Sequence, residues 1–491
     1  MKRYVLMAIS LVFIIILGAC STNLGNMNPF QMMKPLGDRS GGSMMMGHGL
    51  GNVLLQPSTG ENELKIPPIL QKDKEEGNDV YYTIEAQQGE TEIFDGIQTK
   101  TLGYNGSFLG PVMRLKKGQT AHIKLKNSLG EETTFHWHGL IVAGDADGGP
   151  HDVIQPGEEK EVTFEVKQDR ATLWFHPHPQ GKTAKQVFNG LAGLMYIEDD
   201  MDDPYVYGEN DFPLIIQDRT FNEQKQLDYE AVKIPDGTMG DTLLINGTLN
   251  PRLTVNNEKV RLRLLNGSNA RNFTFTLSNN QSFQQVASDG GLLNEPVELT
   301  ELQLTPSERA EIVVDFSKVK ENEDVKLVIE DGTVLLPFQV ANEDTKIQKE
   351  IPKPRNPVTI SNEEMQKEVS KEIVLFGMMN HVTINGKKFD PNRIDFTQKK
   401  GETEVWEIYN RPDMMGGMIH PFHIHGTQFK VISINGEELP ENLQGYKDTI
   451  AIEPGDRANI AVKFEEEGVF MYHCHILEHE DNGMMGQIKV E

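Results

Sequence analysis

Apolar residues along this 491-residue chain recur mainly at every second position, in short runs broken by Gly, Pro, Asn and Asp. Side chains of an extended strand alternate between two faces, so this period predicts half-buried β-strands. Val162-Phe164-Val166, Ile312-Val314-Phe316 and Ile460-Val462-Phe464 are three such runs. Each follows a turn signal: Pro156-Gly157-Glu158, Pro306-Ser307-Glu308 and Pro454-Gly455-Asp456, spaced 150 and 148 residues apart. A second marker, Asn105-Gly106, Asn246-Gly247 and Asn385-Gly386, recurs at intervals of 141 and 139. Asn-Gly suits a tight turn between strands. Two markers at nearly one period predict three copies of an all-β sandwich unit. The expected extents are residues 78–204, 205–347 and 348–491. Helical periodicity is confined to residues 183–191 and 363–370.

The N-terminus follows a different pattern. Lys2-Arg3, an apolar stretch from Tyr4 to Leu17 and Leu17-Gly18-Ala19-Cys20 read as an export signal over residues 1–20. A cysteine directly after the small-residue cleavage point is similar to a bacterial lipoprotein box. Cys20 is thus expected to carry lipid and anchor the chain to the outer face of a cell membrane. No twin-arginine pair is present, which implies export by the general route. Residues 21–77 form a tether and lead-in. Up to residue 60, Gly, Ser, Asn and Pro dominate with no apolar period, so this stretch cannot order itself. It also carries Met27, Met32, Met33, Met44, Met45 and Met46, soft thioethers suited to Cu(I).

Charge narrows the partners. With 73 acidic against 47 basic residues the formal net charge is −26, which argues against nucleic acid and anionic lipid surfaces. The chain is expected to be monomeric. Its two cysteines, Cys20 and Cys474, each have a separate task, so no disulfide is expected despite export.

The chemistry lies in the histidines. Ten of the 14 fall in four clusters, and residues 179–380 contain none. The clusters are His136-Trp137-His138, His176-Pro177-His178, His420-Pro421-Phe422-His423-Ile424-His425, and His473-Cys474-His475 with His479 and Met484 close behind. A His-x-His pair in a strand presents both imidazoles on one face. Within His473-Cys474-His475 the cysteine therefore faces away from its neighbours, toward a second site. Two imidazoles, a thiolate and an axial methionine are the ligand set of a blue-copper electron-transfer centre. The first and third units share the clusters, so a multinuclear site is expected between them, with the second unit as spacer. Asn266-Gly267-Ser268 is placed where His136-Trp137-His138 stands in the first unit.

In this order and grammar the clusters resemble the multicopper oxidases, the family of laccases, bilirubin oxidases and bacterial cuprous oxidases. The resemblance spans roughly residues 78–491. It implies cupredoxin-like Greek-key domains and four copper ions per chain, one type 1, one type 2 and two type 3. Carried over position by position, His420, Cys474, His479 and Met484 hold the type 1 copper and His136 and His423 the type 2. His138, His176, His178, His425, His473 and His475 hold the type 3 pair. A reductant gives single electrons at type 1, and O2 is reduced to water at the trinuclear cluster. Asp147 and Glu480 match the family's acids that deliver protons, with Glu478 a weaker candidate. An axial methionine at 484 implies a lower type 1 potential, with Met485 packing beside it.

Substrate is a separate question. Asp413, Met414, Met415 and Met418 precede His420 and are similar to the substrate site of cuprous oxidases, although Gly416 and Gly417 depart from that spacing. The long methionine-rich insertion of those enzymes is also missing, since residues 340–376 contain only Met365. Cu(I) or another reducing metal ion is the expected reductant. A small phenol or aromatic amine, as for a laccase, is the alternative. A nitrite-reductase-like enzyme, with one type 1 and one type 2 site, is disfavoured by the extra His-x-His pairs. A copper-free envelope scaffold is disfavoured by the complete ligand set.

Overall fold

The computed structural model describes residues 53–491 except 235, 321–322, 342–359 and 415. The export signal, Cys20, the six tether methionines, Met415 and the junction before the third unit lie outside the described residues. Among the described residues no helix is long and apolar enough to cross a membrane.

Three β-sandwiches follow one another, each built on its own apolar cluster. In the first, Asp79–Phe94 shows the predicted alternation, with Val80, Tyr82, Ile84 and Ala86 buried and their neighbours facing out. It pairs in parallel with Thr120–Ser128, which pairs antiparallel with Glu159–Glu165. The facing sheet runs Met113–Lys116, Gly193–Glu198, Ala171–His176 and His136–His138. The other two units repeat the parallel pair, as Asp211–Arg219 with Lys259–Asn266 and Val369–Phe376 with Thr403–Arg411. Such parallel neighbours need a crossover, which gives the Greek-key character of cupredoxin sandwiches.

The repeats recur in atomic detail. Asn105, Asn246 and Asn385 all adopt left-handed backbone, with φ of 52°, 51° and 52°. The side-chain oxygen of each accepts a backbone N–H from the preceding long strand, of Glu85, Ile215 and Val374 respectively. Each amide nitrogen donates to the carbonyl two residues earlier, of Thr83, Pro213 and Glu372. Asparagine tolerates the αL region and mimics a backbone turn with its side chain. The Pro-Gly-Glu signals are equally matched: the N–H groups of Gly157, Ser307 and Gly455 donate to the carbonyls of Asn127, Asn266 and Asn410.

That last correspondence corrects one expectation. Asn266 matches Asn127, at the end of an earlier strand, rather than His136. The later strand Phe273–Leu277 follows it as His136–His138 follows Asn127, and it carries Phe273 and Phe275 into the core. Apolar side chains stand where ligands would be. Two other expectations change. Residues 363–370 form only a 3-10 turn, Glu364–Gln366, before entering the strand Val369–Phe376. Residues 53–60 are ordered, not by themselves but by docking. Leu55 and Leu64 enter the second unit's core, and Asn62–Glu63 adds a parallel strand to Pro251–Asn256.

Candidate copper centres

Strand register places the ligands. His136–His138 runs antiparallel to Ala171–His176 so that His136 faces His176. His420–Ile424 pairs with Gly468–Cys474, setting His423 opposite His473 and Phe422 opposite Cys474. Alternation then sends His423 and His473 toward the first unit, while Phe422 and Cys474 enter the third core with Met484. His473 and Cys474 thus face opposite sides of one strand, as the alternation predicts.

Eight histidines from the first and third units converge in a fully buried cluster. Their donor atoms form overlapping groups: His136, His138 and His176; His136, His423 and His425; His178, His425 and His473; and His138, His423 and Asp448. His475 closes the cluster, its ring 5.0 Å from His138 and 5.4 Å from His176. The Nε2 atom of His473 lies 3.0 Å from that of His425 and 3.2 Å from that of His178. Two nitrogens on one ion at about 2.0 Å, in tetrahedral geometry, would sit roughly 3.3 Å apart. The spacing therefore fits shared coordination.

The outward nitrogens are held by the protein. His136 Nδ1 donates to the Asp147 carbonyl at 3.1 Å, His423 Nδ1 to the Asp448 carbonyl at 2.8 Å and His425 Nδ1 to Asp147 Oδ2 at 2.8 Å. His176 and His473 use backbone carbonyls in the same way. The inward atoms of His136, His138, His176 and His423 have no protein partner, nor has either nitrogen of His475. Buried polar atoms are normally paired, so this donor set is made to receive cations. Burial also pushes His138, His176, His178, His423, His425 and His475 well below the ordinary imidazole range, and His473 down to about 3. They are neutral, as ligation requires.

On the other face, Cys474 Sγ lies 3.7 Å from His479 Nδ1, and the His420 and His479 rings are 5.3 Å apart. The Cys474 N–H donates to the Met484 carbonyl, and both side chains lie in the third unit's apolar core. Both nitrogens of His420 lack partners. Burial raises the Cys474 thiol far above its usual range; a bound cation reverses that preference and stabilises the thiolate.

The two acids flank the cluster. Asp147 lines a recess of about 460 Å³ between the first and third units, with Gly144, His151, Met471 and Gln487, and its Oδ1 has no protein partner. Glu480 sits in the short helix Leu477–Asp481, with its two oxygens 3.4 Å from His178 Nδ1 and from His473 Nδ1. Burial raises its carboxyl well above the usual range. Glu478 is engaged elsewhere, accepting from Tyr229 and Asn269. Before His420, Met414 is fully exposed, while Met418 packs against the third core.

Three residues of the site escape sequence reasoning. Asp448 joins a donor group, Arg309 pairs with it, and Asp236 places Oδ1 3.8 Å from His479 Nε2. Each acts across more than 130 residues of chain or from a unit without ligands. The only local signal is the polar run Lys447-Asp448-Thr449 within an apolar strand region.

Comparison with known proteins agrees with this geometry. Three family models, each described as Multicopper oxidase, match residues 85–202, 196–323 and 352–491. The "Multicopper oxidase mco" of Staphylococcus haemolyticus is 56% identical over 438 residues, covering 89% of this chain and 94% of that protein. The crystal structure of a laccase from Pediococcus acidilactici superposes with a TM-score of 0.84 at 45% identity, over 89% of this chain and 95% of that one. The "Cell division protein FtsP" of Xenorhabdus nematophila is 31% identical, covering 87% of this chain and 92% of that protein. The chain belongs to the multicopper oxidases, and its buried histidine groups are those of a copper enzyme that oxidises a substrate with O2.

Proposed function

We propose that the chain is a metallo-oxidase whose reductant is Cu(I), anchored through Cys20 outside the cytoplasm and acting as a monomer. His420, Cys474, His479 and Met484 take the type 1 ion. His136 and His423 take the type 2 ion, and His138, His176, His178, His425, His473 and His475 the type 3 pair. Copper supplies one-electron uptake at the first site and four-electron reduction of O2 to water at the cluster. The chain supplies the rest. Cys474 is bonded through its own backbone to His473 and His475, so a few covalent bonds join the two sites. Glu480 stands between His178 and His473 as the proton donor, and Asp147 connects His425 to the solvent recess.

The observation that favours Cu(I) is the soft donor set in front of the electron-entry histidines. Met414 is exposed in the segment preceding His420, Asp413 precedes it, and Asp236 stands beside His479. A soft thioether suits Cu(I), whereas a phenol needs an apolar recess. The laccase-like alternative draws support from the Pediococcus relative. Met414, Met415 and Met418 changed together to Leu keep volume and remove sulfur. Cuprous oxidation is expected to fall at least about tenfold, one 1.4 kcal/mol step, while phenol oxidation stays near wild type. Deleting residues 27–48 is expected to act more mildly, and only at low Cu(I). Retained cuprous activity with loss of phenol oxidation would leave the laccase reading standing.

A further inference from the structure

The second unit holds no copper ligand, yet it sends one fully buried cation to the edge of the cluster. Arg309 and Asp448 are both at 0% side-chain exposure and pair bidentately, Nη1 to Oδ1 at 2.7 Å and Nη2 to Oδ2 at 2.6 Å. Arg309 Nε donates to the Thr172 carbonyl of the first unit, and its backbone N–H donates to Asp289. Asp289 and Glu308 in turn hold Lys447, the neighbour of Asp448. One guanidinium therefore ties all three units together. Desolvating such a pair costs several kcal/mol, and apolar packing could fix the spacing of the units as well. A spacer does not explain it.

The explanation lies one bond further on. Asp448 Oδ1 accepts from His138 Nε2 at 3.0 Å, so the open atom of His138 is Nδ1. His136 and His423 are engaged through Nδ1 and leave Nε2 open. The His423 partner is the carbonyl of the same Asp448, at 2.8 Å. Asp448 thus sets one histidine from each copper-bearing unit, in opposite tautomers. Thr449 reinforces this, its Oγ1 lying 3.0 Å from Asp448 Oδ1 and from Ser307 Oγ of the second unit. Gly139, next to His138, makes the close approach possible: a Cβ there would meet Asp448 Oδ2 at 2.4 Å and Arg309 Nη2 at 2.8 Å.

We infer that Arg309 is a positioning residue of the trinuclear site, fixing through Asp448 which nitrogen His138 presents and how His423 is turned. The inference rests on the copper roles of His138 and His423 proposed above. Partners behind metal-bound histidines commonly change metal affinity by about 10- to 100-fold, and the same range is expected here.

The test uses copper-loaded full-length protein and three variants. Arg309→Gln removes the fork, Asp448→Asn keeps the shape but breaks the pairing, and Arg309→Lys keeps charge without bidentate geometry. Copper per chain, the type 2 paramagnetic signal and the near-ultraviolet type 3 absorption are each normalised to the blue type 1 band. Misfolded chains have no blue band and so drop out of the ratio. Expected is an unchanged blue band with trinuclear copper held about 10- to 100-fold more weakly in Arg309→Gln and Asp448→Asn, and partial rescue in Arg309→Lys. Wild-type ratios and signals in all three variants, with only a lower unfolding temperature, would overturn the inference and leave Arg309 a structural pin. Absence of trinuclear signals from the wild type would instead bring down the copper assignment on which it stands.

Discussion

Asp147 illustrates how much one side chain can carry. Its carbonyl receives His136 and its Oδ2 receives His425, a histidine 278 residues away, while it lines the recess leading out between two units. Asp147→Asn keeps the shape and the carbonyl bond but removes the charge and the titratable proton. Reoxidation by O2 is expected to slow by about 10²- to 10⁴-fold, the usual worth of a placed acid or base, while anaerobic reduction of the blue band stays near its wild-type rate. Stopped-flow mixing separates the two half-reactions, and equal slowing of both would remove the proton-delivery role. The clustering of the histidines is legible in the sequence because strand alternation makes His-x-His a local pattern with one geometric meaning. Asp448, Arg309 and Asp236 are not. A lone charged residue in a strand has no local signature, and its role exists only after three sandwiches meet.

At the scale of elements, strands and turns are legible where a side chain enforces its own geometry, as Asn105, Asn246 and Asn385 do. The slip at Asn266 has a physical source: an Asn-Gly pair ends a strand there too, so the dipeptide alone does not say which turn of the repeat it marks. Buried charge was the least legible feature. Asp211 lies in a central strand of the second unit, fully buried between Arg261 and Arg263, with bonds of 2.7 to 3.1 Å. Burial alone would raise its carboxyl, but the two guanidinium groups outweigh burial and hold it well below the usual carboxylate range. The folded state then binds fewer protons than the unfolded one, so stability rises with pH across this window. The contribution is complete above the ordinary Asp value of 3.8 and is lost as pH falls below it. Asp211→Asn is expected to cost about 3–5 kcal/mol near neutrality, the cost of breaking a buried pair, and to flatten the acid limb. Denaturant midpoints of the copper-free protein from about pH 2 to pH 5, with a reference near neutrality, check both. A parallel downward shift with the wild-type acid slope intact would contradict the assignment.

At the scale of the whole molecule, the three sandwiches are bound together by polar ties and also by the chain that leads into them. From residue 53 this lead-in crosses the second unit before reaching the first. The Gln56 N–H donates to Asp241, Ser58 Oγ to Pro251, and the Asn246 amide to the Lys65 carbonyl. Leu55 and Leu64 lie in the second unit's core, and Leu70 enters the first. Asn62–Glu63 also covers the edge strand Pro251–Asn256, whose unpaired groups would otherwise be open to other chains. Two truncations separate tether from strap. A chain starting at residue 53 is expected to keep the full-length unfolding temperature and copper content, because it retains the docking contacts of Val53, Leu55 and Leu64. A chain starting at residue 67 loses both leucines, at about 1.5–3 kcal/mol each, and bares the edge. It is expected to unfold several degrees lower and to associate, seen as light scattering that grows with concentration. The blue band at low temperature is expected to survive, because every proposed ligand lies beyond residue 130. Equal unfolding temperatures for the two truncations would mean that the strap follows the fold without supporting it.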